Sequence, residues 1–385
     1  MDHTALLKGW ALEEGFTRVG VATLEPSEHG PYLRRWLELG DHAEMSWLAQ
    51  RTEIREDPAK LLPGARSVLC VALQYWPLEG QEEPTGDLWP RVARYARGRD
   101  YHDVMGRALK RLARRISEAF PEAQTRPYVD TGPILERELA ARAGLGSFGK
   151  NTNLLDRDWG SYFLLGELLL TMDLEPDVPS PEDVCGQCTR CLDACPTGAL
   201  AEAYRLDARR CISYWTIEHR GDLPESSRRM NEDWVFGCDI CQEVCPYNHP
   251  TSQRDRPRPG TEERLRLPAV REELDLAGLL RLDREGYVER FQVSAMKRAK
   301  LPGLRRNAAV AMGNRRQEKY VPALVKVVLQ PAEDEVVRRH AVWALGRIGS
   351  ASAVAALEEA LDGADPVLQA EIEAALGARR DAESG

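Results

Sequence analysis

The chain predicts three successive architectures: an α/β domain over residues 1–175, a cysteine-rich segment over 176–255, and an α-solenoid over 256–385. Three observations predict them. Short β-like apolar runs alternate with helical periodicity between about residues 17 and 175. Eight of the nine cysteines fall between Cys185 and Cys245. The stretch LRRNAAVAMG (304–313) returns as VRRHAVWALG (337–346), 33 residues later. A length of 385 residues has room for two or three domains of ordinary size.

Taken in order, MDHTALLKGWALEEGF reads as an amphipathic helix. It carries acids early and lacks a basic segment leading into a long apolar run, so an export signal is not expected and a cytoplasmic location is. TRVGVATL, ARSVLCVALQYW, RPYVD and YFLLGELLLTM are strand candidates, and DVMGRALKRLARRISEAF and ILERELAARAGL are helical, which suggests one sheet with helices against it. Cys70, inside SVLCVAL, reads as a small core residue. The longest apolar stretch, Tyr162 to Met172, is shorter than the roughly 20 residues that span a bilayer, and Glu167 interrupts it. The acidic, proline-bearing DLEPDVPSPEDV then leads into the cysteines. With 43% hydrophobic and 29% charged residues the chain has the composition of a folded protein. A net charge of -9 argues against coating nucleic acid by global charge, and leaves only a local patch.

Cys185-x2-Cys188-x2-Cys191-x3-Cys195-Pro196 has the spacing of bacterial ferredoxins, in which three thiolates converge on one cubane and the fourth ligates the other. Cys238-x2-Cys241-x3-Cys245-Pro246 repeats the ending, with Cys211 in place of the missing first cysteine. The ferredoxin crossover assigns Cys185, Cys188, Cys191 and Cys245 to cluster one, and Cys195, Cys211, Cys238 and Cys241 to cluster two. A pair of four-cysteine zinc sites is the alternative, and one full ferredoxin run with a second matching ending weighs against it. A ferredoxin-like segment with two [4Fe-4S] clusters is an electron wire, and a wire implies an acceptor at its end.

Beyond residue 250, HPTSQRDRPRPGTEERLRLP reads as an exposed connector. In the repeat that follows, Val321 maps on Val354 and Leu324 on Leu357 at the same offset, so paired helices recur as in HEAT-like repeats. Between Arg290 and Arg306 lie six basic residues and no acid: Arg290, Lys297, Arg298, Lys300, Arg305 and Arg306. Arg338, Arg339 and Arg347 recur on the next repeat. Such a stripe suits a phosphate backbone, although a solvated helix face has the same look. Tyr214 and Trp215, beside Cys211, could stack a flipped base or pack a core.

In the first domain, Asp130 closes a strand-like run ahead of Gly132 and a helix, where α/β sheets present reacting groups. Two readings stand: a general acid, or a helix N-cap. GLGSFGKN (144–151) satisfies G-x4-G-K but has Asn151 where a P-loop needs Ser or Thr, so a nucleotide site is not expected; its amides could line a cofactor pocket instead. Asp100-Tyr-His102 lacks the correctly spaced glycine of the motif that donates histidine to cobalt, which leaves His102 as a structural residue.

The block VDTGPILERELAARAGLGSFGKNTNL, both cysteine runs, RCISYWTIE and the helical repeats, in this order, closely resemble the epoxyqueuosine reductases over nearly the whole chain. The resemblance implies a cytoplasmic cobalamin enzyme related to reductive dehalogenases. It would reduce epoxyqueuosine to queuosine at the wobble position of tRNA, the final step of queuosine biosynthesis. It further implies base-off cobalamin in the first domain, an external low-potential electron donor, and Asp130 as proton donor. Arg55, Leu154, Leu165, Ser213, Cys238 and Asp239 stand where the family lines its cobalamin, together with Asp130. The solenoid would bind tRNA through Lys297, Arg298, Lys300, Arg305, Arg306, Arg338 and Arg339. A monomer is expected. An exported dehalogenase is disfavoured by the N-terminus; the remaining alternative is a ferredoxin-like electron carrier with a HEAT-like protein-docking module.

Overall fold

A computed structural model describes residues 2–75, 90–181, 183–248 and 275–383. It divides into two compact units. The first draws on Met1–Gln81, Arg97–Arg209 and Asp239–Arg266, the second on Glu82–Ala96, Arg210–Cys238 and Leu267–Gly385. The cysteine-rich segment is thus shared between the units rather than standing as a body of its own. The connector read in residues 249–268, the boundary at 255/256 and Trp76 lie outside the described residues.

In the first unit all four strand candidates form one sheet: β1 (Arg18–Thr23), β2 (Ser67–Gln74), β3 (Thr125–Tyr128) and β4 (Phe163–Leu170), in the order β1-β2-β4-β3. Every pairing is antiparallel. The single sheet is as expected, and its direction of pairing is new: strand–helix alternation reads the same in sequence whichever way a crossover returns. β2 is buried at all eight positions, with a strand on each side and the helix Glu136–Arg142 packed on it. Cys70 is fully buried there, as expected.

Helices α1 (His3–Glu13), α2 (Tyr101–Ala119) and α3 (Glu136–Arg142) belong to this unit. The buried face of α2, Met105, Ala108, Leu109, Leu112 and Ile116, has helical spacing. Met105 and Leu109 close on Gly166 of β4. The opposite face of β4 carries Leu165, Glu167 and Leu169, since strand side chains alternate. Leu165 and Leu169 there join a cluster with Cys70, Ile134, Leu139 and Ala140, the last two from α3. Glu167 therefore lies on an apolar face.

The second unit is helical. α4 (Lys300–Arg315) and α5 (Val321–Val328) are followed by α6 (Glu335–Ile348) and α7 (Ala351–Leu361), then by α8 (Pro366–Glu383). The 33-residue offset thus relates one helix pair to the next. The repeated glycine has a packing reason: a Cβ on Gly313 would stand 2.8 Å from the Ala344 Cα of α6, and one on Gly346 would stand 2.8 Å from the Ala375 Cβ of α8. Asn307 and His340, also equivalent, are both buried and satisfied. Asn307 donates to the Thr216 and Val235 carbonyls. The Leu223 amide donates to His340 Nε2. Among the described residues no helix is long and apolar enough to cross a membrane.

Candidate active site and cluster ligands

The Asp130 loop leaves β3 and turns tightly, with the Thr131 amide donating to the Val129 carbonyl at 2.6 Å. Asp130 itself takes a left-handed backbone, φ 57°, which a non-glycine residue adopts only when its surroundings hold it there. Gly132 is required two residues on, since a Cβ would meet the Tyr128 ring at 2.4 Å. The N-cap reading of Asp130 is wrong, because α3 begins six residues later at Glu136. Instead the Asp130 backbone N–H donates to Glu136 Oε1, and its exposed carboxylate meets His102 Nε2 at 3.0 Å.

His102 is a satisfied residue, as expected, and one of its two partners is Asp130. It sits in the first turn of α2, whose N-cap is the buried Asp100. Asp100 Oδ1 accepts from the His102 backbone N–H at 3.1 Å and lies 2.6 Å from its Nδ1. Burial pulls the imidazole down, but the two carboxylates outweigh it and push it up to about 9, so at neutral pH it is an imidazolium donating to both acids. Behind the loop, burial and the Asp130 charge raise Glu136 to about 7. Burial and the Glu136 charge raise Glu167 well above the carboxylate range. The sequence held signals for both findings: an Asp-x-His pair at a helix start, and an acid within an apolar strand.

Of the residues expected around cobalamin, Arg55, Leu154, Leu165 and Asp239 join Asp130 in the first unit, and Ser213 and Cys238 fall in the second. Arg55 reaches the Gly132 carbonyl at 3.5 Å, and its Nε is buried with no acceptor. Leu154 is buried, and Leu165 is partly exposed at the near end of β4. GLGSFGKN forms a two-stranded ribbon, Ser147–Phe148 against Leu154–Leu155, and so is no P-loop. Its turn lies on the cysteine segment. Lys150 Nζ donates to the Gly186 carbonyl, Asn151 to the Cys241 carbonyl, and Asn153 Nδ2 stands 3.8 Å from Cys241 Sγ. These asparagine contacts were not legible in spacing alone.

None of the nine cysteines is in a disulfide. In the first unit burial and the charges of Cys185 and Cys245 push Cys191 up to about 11. Burial and then Cys185 and Cys188 raise Cys245. Cys195 behaves otherwise. Burial raises it, but the Thr197 hydroxyl and the amides of Leu200, Ala199 and Thr197 outweigh this and hold it below the usual thiol range. Cys195 and Cys241 belong to the first unit, Cys211 and Cys238 to the second.

The basic stripe needs correction. Arg306 is fully buried and donates to the carbonyls of Trp215, His219 and Gly221. Arg305 pairs with Glu333 and donates to the Leu280 carbonyl at 2.6 Å. Arg338 donates to the Val328 carbonyl, and Arg339 pairs with Asp222 at 2.9 Å. These four are therefore packing residues, and the repeat explains why: Arg305 aligns with Arg338 and Arg306 with Arg339, so what recurs is the helix contact. Lys300 and Arg298 are exposed, Arg298 bonded to Glu218, and Lys297 is half-buried. Tyr214 is buried and Trp215 packs on the helical core, which removes Tyr214 as a base-stacking platform.

Three family models match the chain: a 4Fe-4S double cluster binding domain over residues 184–248, Epoxyqueuosine reductase QueG, DUF1730, over 55–131, and HEAT repeats over 293–377. The epoxyqueuosine reductase of Pseudomonas aeruginosa is 40% identical over 351 residues, covering 89% of this chain and 94% of that protein. Among solved structures, the Bacillus subtilis epoxyqueuosine reductase with its catalytic aspartate loop swung out of the active site superposes with a TM-score of 0.86 at 30% identity, covering 97% of this chain and 98% of that one. An epoxyqueuosine reductase with a tRNA-Tyr epoxyqueuosine-modified stem loop gives 0.84 at 30% identity and 97% coverage of both chains. With an acid–imidazolium pair, a double-cluster segment and a helical-repeat unit on one chain, and with this identity over nine-tenths of its length, the chain belongs to the epoxyqueuosine reductase family.

Proposed function

We propose that this chain reduces the epoxide of epoxyqueuosine in tRNA to the cyclopentene of queuosine, the last step in making that base, with Asp130 as proton donor. The 3.0 Å contact between Asp130 and the His102 imidazolium carries the reading. Removing the epoxide oxygen as water consumes two electrons and two protons. An alkoxide is a poor leaving group, so protonation at that oxygen is where an acid gains most. Asp130 Oδ2 takes the His102 proton while the carboxyl, 56% exposed, offers it outward. Asp100 holds the ring in line and favours its recharging from water.

Cobalamin, when bound, would supply the electron pair for C–O cleavage. Arg55, Leu154, Leu165, Asp239, Ser213 and Cys238 are the residues that would hold it, with Asp130 beside it. The buried Arg55 Nε without an acceptor fits a cofactor rich in amide oxygens. Electrons would come from an external low-potential donor through two [4Fe-4S] clusters. The charges of Cys185 and Cys245 felt by Cys191, and of Cys185 and Cys188 felt by Cys245, support the first ligand set. The second, Cys195, Cys211, Cys238 and Cys241, rests on the ferredoxin pattern. We take the working form to be a monomer, with tRNA met by Lys297, Arg298 and Lys300.

Anaerobically reconstituted protein, assayed for iron, cobalt and turnover of epoxyqueuosine tRNA, tests the reading. Asp130→Asn is expected to keep its cofactors and lose about 10²–10⁴-fold in rate, the usual worth of a general acid. Turnover near wild type in that variant would remove Asp130 from the role. Iron without cobalt in the presence of excess cobalamin would favour the electron-carrier alternative.

A further inference from the structure

Glu167 is a fully buried acid in the middle of β4, in register with Cys70 on one side and Tyr128 on the other. Among the described residues neither of its carboxyl oxygens has a hydrogen-bond donor. The polar group it does meet is the carboxyl of Glu136. Two carboxyl groups side by side on an apolar face repel unless one carries a proton. Glu136, at the head of α3, uses its Oε1 to accept the backbone N–H of Asp130. That N–H belongs to the residue with the left-handed backbone, a conformation this hydrogen bond helps to hold.

We propose that Glu136 and Glu167 form a carboxyl pair holding one proton, Glu167 donating and Glu136 accepting, and that the pair latches the Asp130 loop by its backbone so that the Asp130 carboxylate meets His102. Both are positioning residues. The inference rests on the assignment of Asp130 as the acid but concerns what holds it. Elevated affinities of both carboxyls for protons agree with a shared proton near neutral pH. Among the described residues the charged and titratable groups around the pair are Asp130 on the loop, His102 on α2, Arg55 from the short helix Thr52–Arg55, Arg137 next to Glu136, Tyr128 on β3 and Cys70 on β2. Arg55 attracts Glu136 without bonding to it, which leaves Glu167 as its hydrogen-bond donor from the side chains.

The test compares Glu136→Gln, Glu136→Ala and Glu167→Gln as cluster- and cobalamin-loaded enzyme. A glutamine at 136 still offers an oxygen to the Asp130 amide, and one at 167 still offers a donor. Both are expected to stay within a few-fold of wild type in kcat. Glu136→Ala should lose about 10²-fold in kcat, the effect of a misplaced reacting group, with KM for tRNA unchanged. If Glu136→Gln falls as far as Glu136→Ala, or Glu167→Gln loses the rate, the latch is overturned. The infrared band of a protonated carboxyl, expected in wild type at neutral pH and absent from Glu167→Gln, reads the pair without turnover. Its persistence in Glu167→Gln would overturn the shared proton even in an enzyme with a different substrate.

Discussion

At the scale of residues, the site is a problem of where protons rest. His102 lies between Asp100 and Asp130, and its affinity for a proton is set by that pair against the cost of burial. The sign follows directly. A histidine whose folded pKa is about 9, against roughly 6.5 unfolded, contributes stability that is complete below the lower value and lost as pH rises through the upper. The same deprotonation removes the proton that Asp130 would pass on. Wild-type kcat should therefore fall as pH rises through about 9, and His102→Gln should lose both that limb and most of the rate. A kcat profile without an alkaline limb in the wild type would show that the imidazolium is not the resting source of the proton. Glu136 and Glu167 belong to the same scale, since the proposed hydrogen bond between them orients the oxygen that accepts the Asp130 amide.

At the scale of elements, the sequence was informative wherever one periodicity was repeated cleanly. The four strands were legible because apolar runs such as Ser67–Gln74 are bounded by turn residues. The solenoid was legible because each helix pair must bury the same face against the next. Direction of pairing was not legible, because β-runs carry no mark of the way a connection returns. Nor was the fate of Arg305 and Arg306, whose charge reads as solvent-facing although their guanidiniums are spent on internal carbonyls and Glu333. The glycine at the repeat offset was the more faithful guide to contact. Gly313→Ala would place a methyl group 2.7 Å from the Trp343 ring and 2.8 Å from the Ala344 Cα. A backbone neighbour cannot step aside, so the variant should lose about 1–3 kcal/mol, the usual cost of overpacking. Thermal unfolding measures it, and a melting temperature equal to wild type would mean that α4 and α6 are not in the close contact described.

At the scale of the whole molecule, a chain with net charge -9 repels RNA at long range, so any tRNA must be met by cations that outweigh this locally. Counting basic residues overstates what is on offer. Arg305, Arg306, Arg338 and Arg339 satisfy carbonyls and carboxylates within the helical unit, and withdrawing them to reach a phosphate would leave buried acceptors and acids unpaired. Lys300 is different: it is exposed at the head of α4. Two classes of basic residue should then separate in one experiment, tRNA binding measured across a salt series. Lys300→Ala should weaken binding and reduce the slope of log affinity against log salt by roughly one, because one counterion-releasing contact is gone. Arg305→Ala should leave the slope in place and lower the unfolding temperature instead, because it opens the Glu333 pair. If Arg305→Ala reduces the slope while Lys300→Ala does not, the phosphate path runs over the face we assign to packing, and the RNA-facing side of the solenoid is the other one.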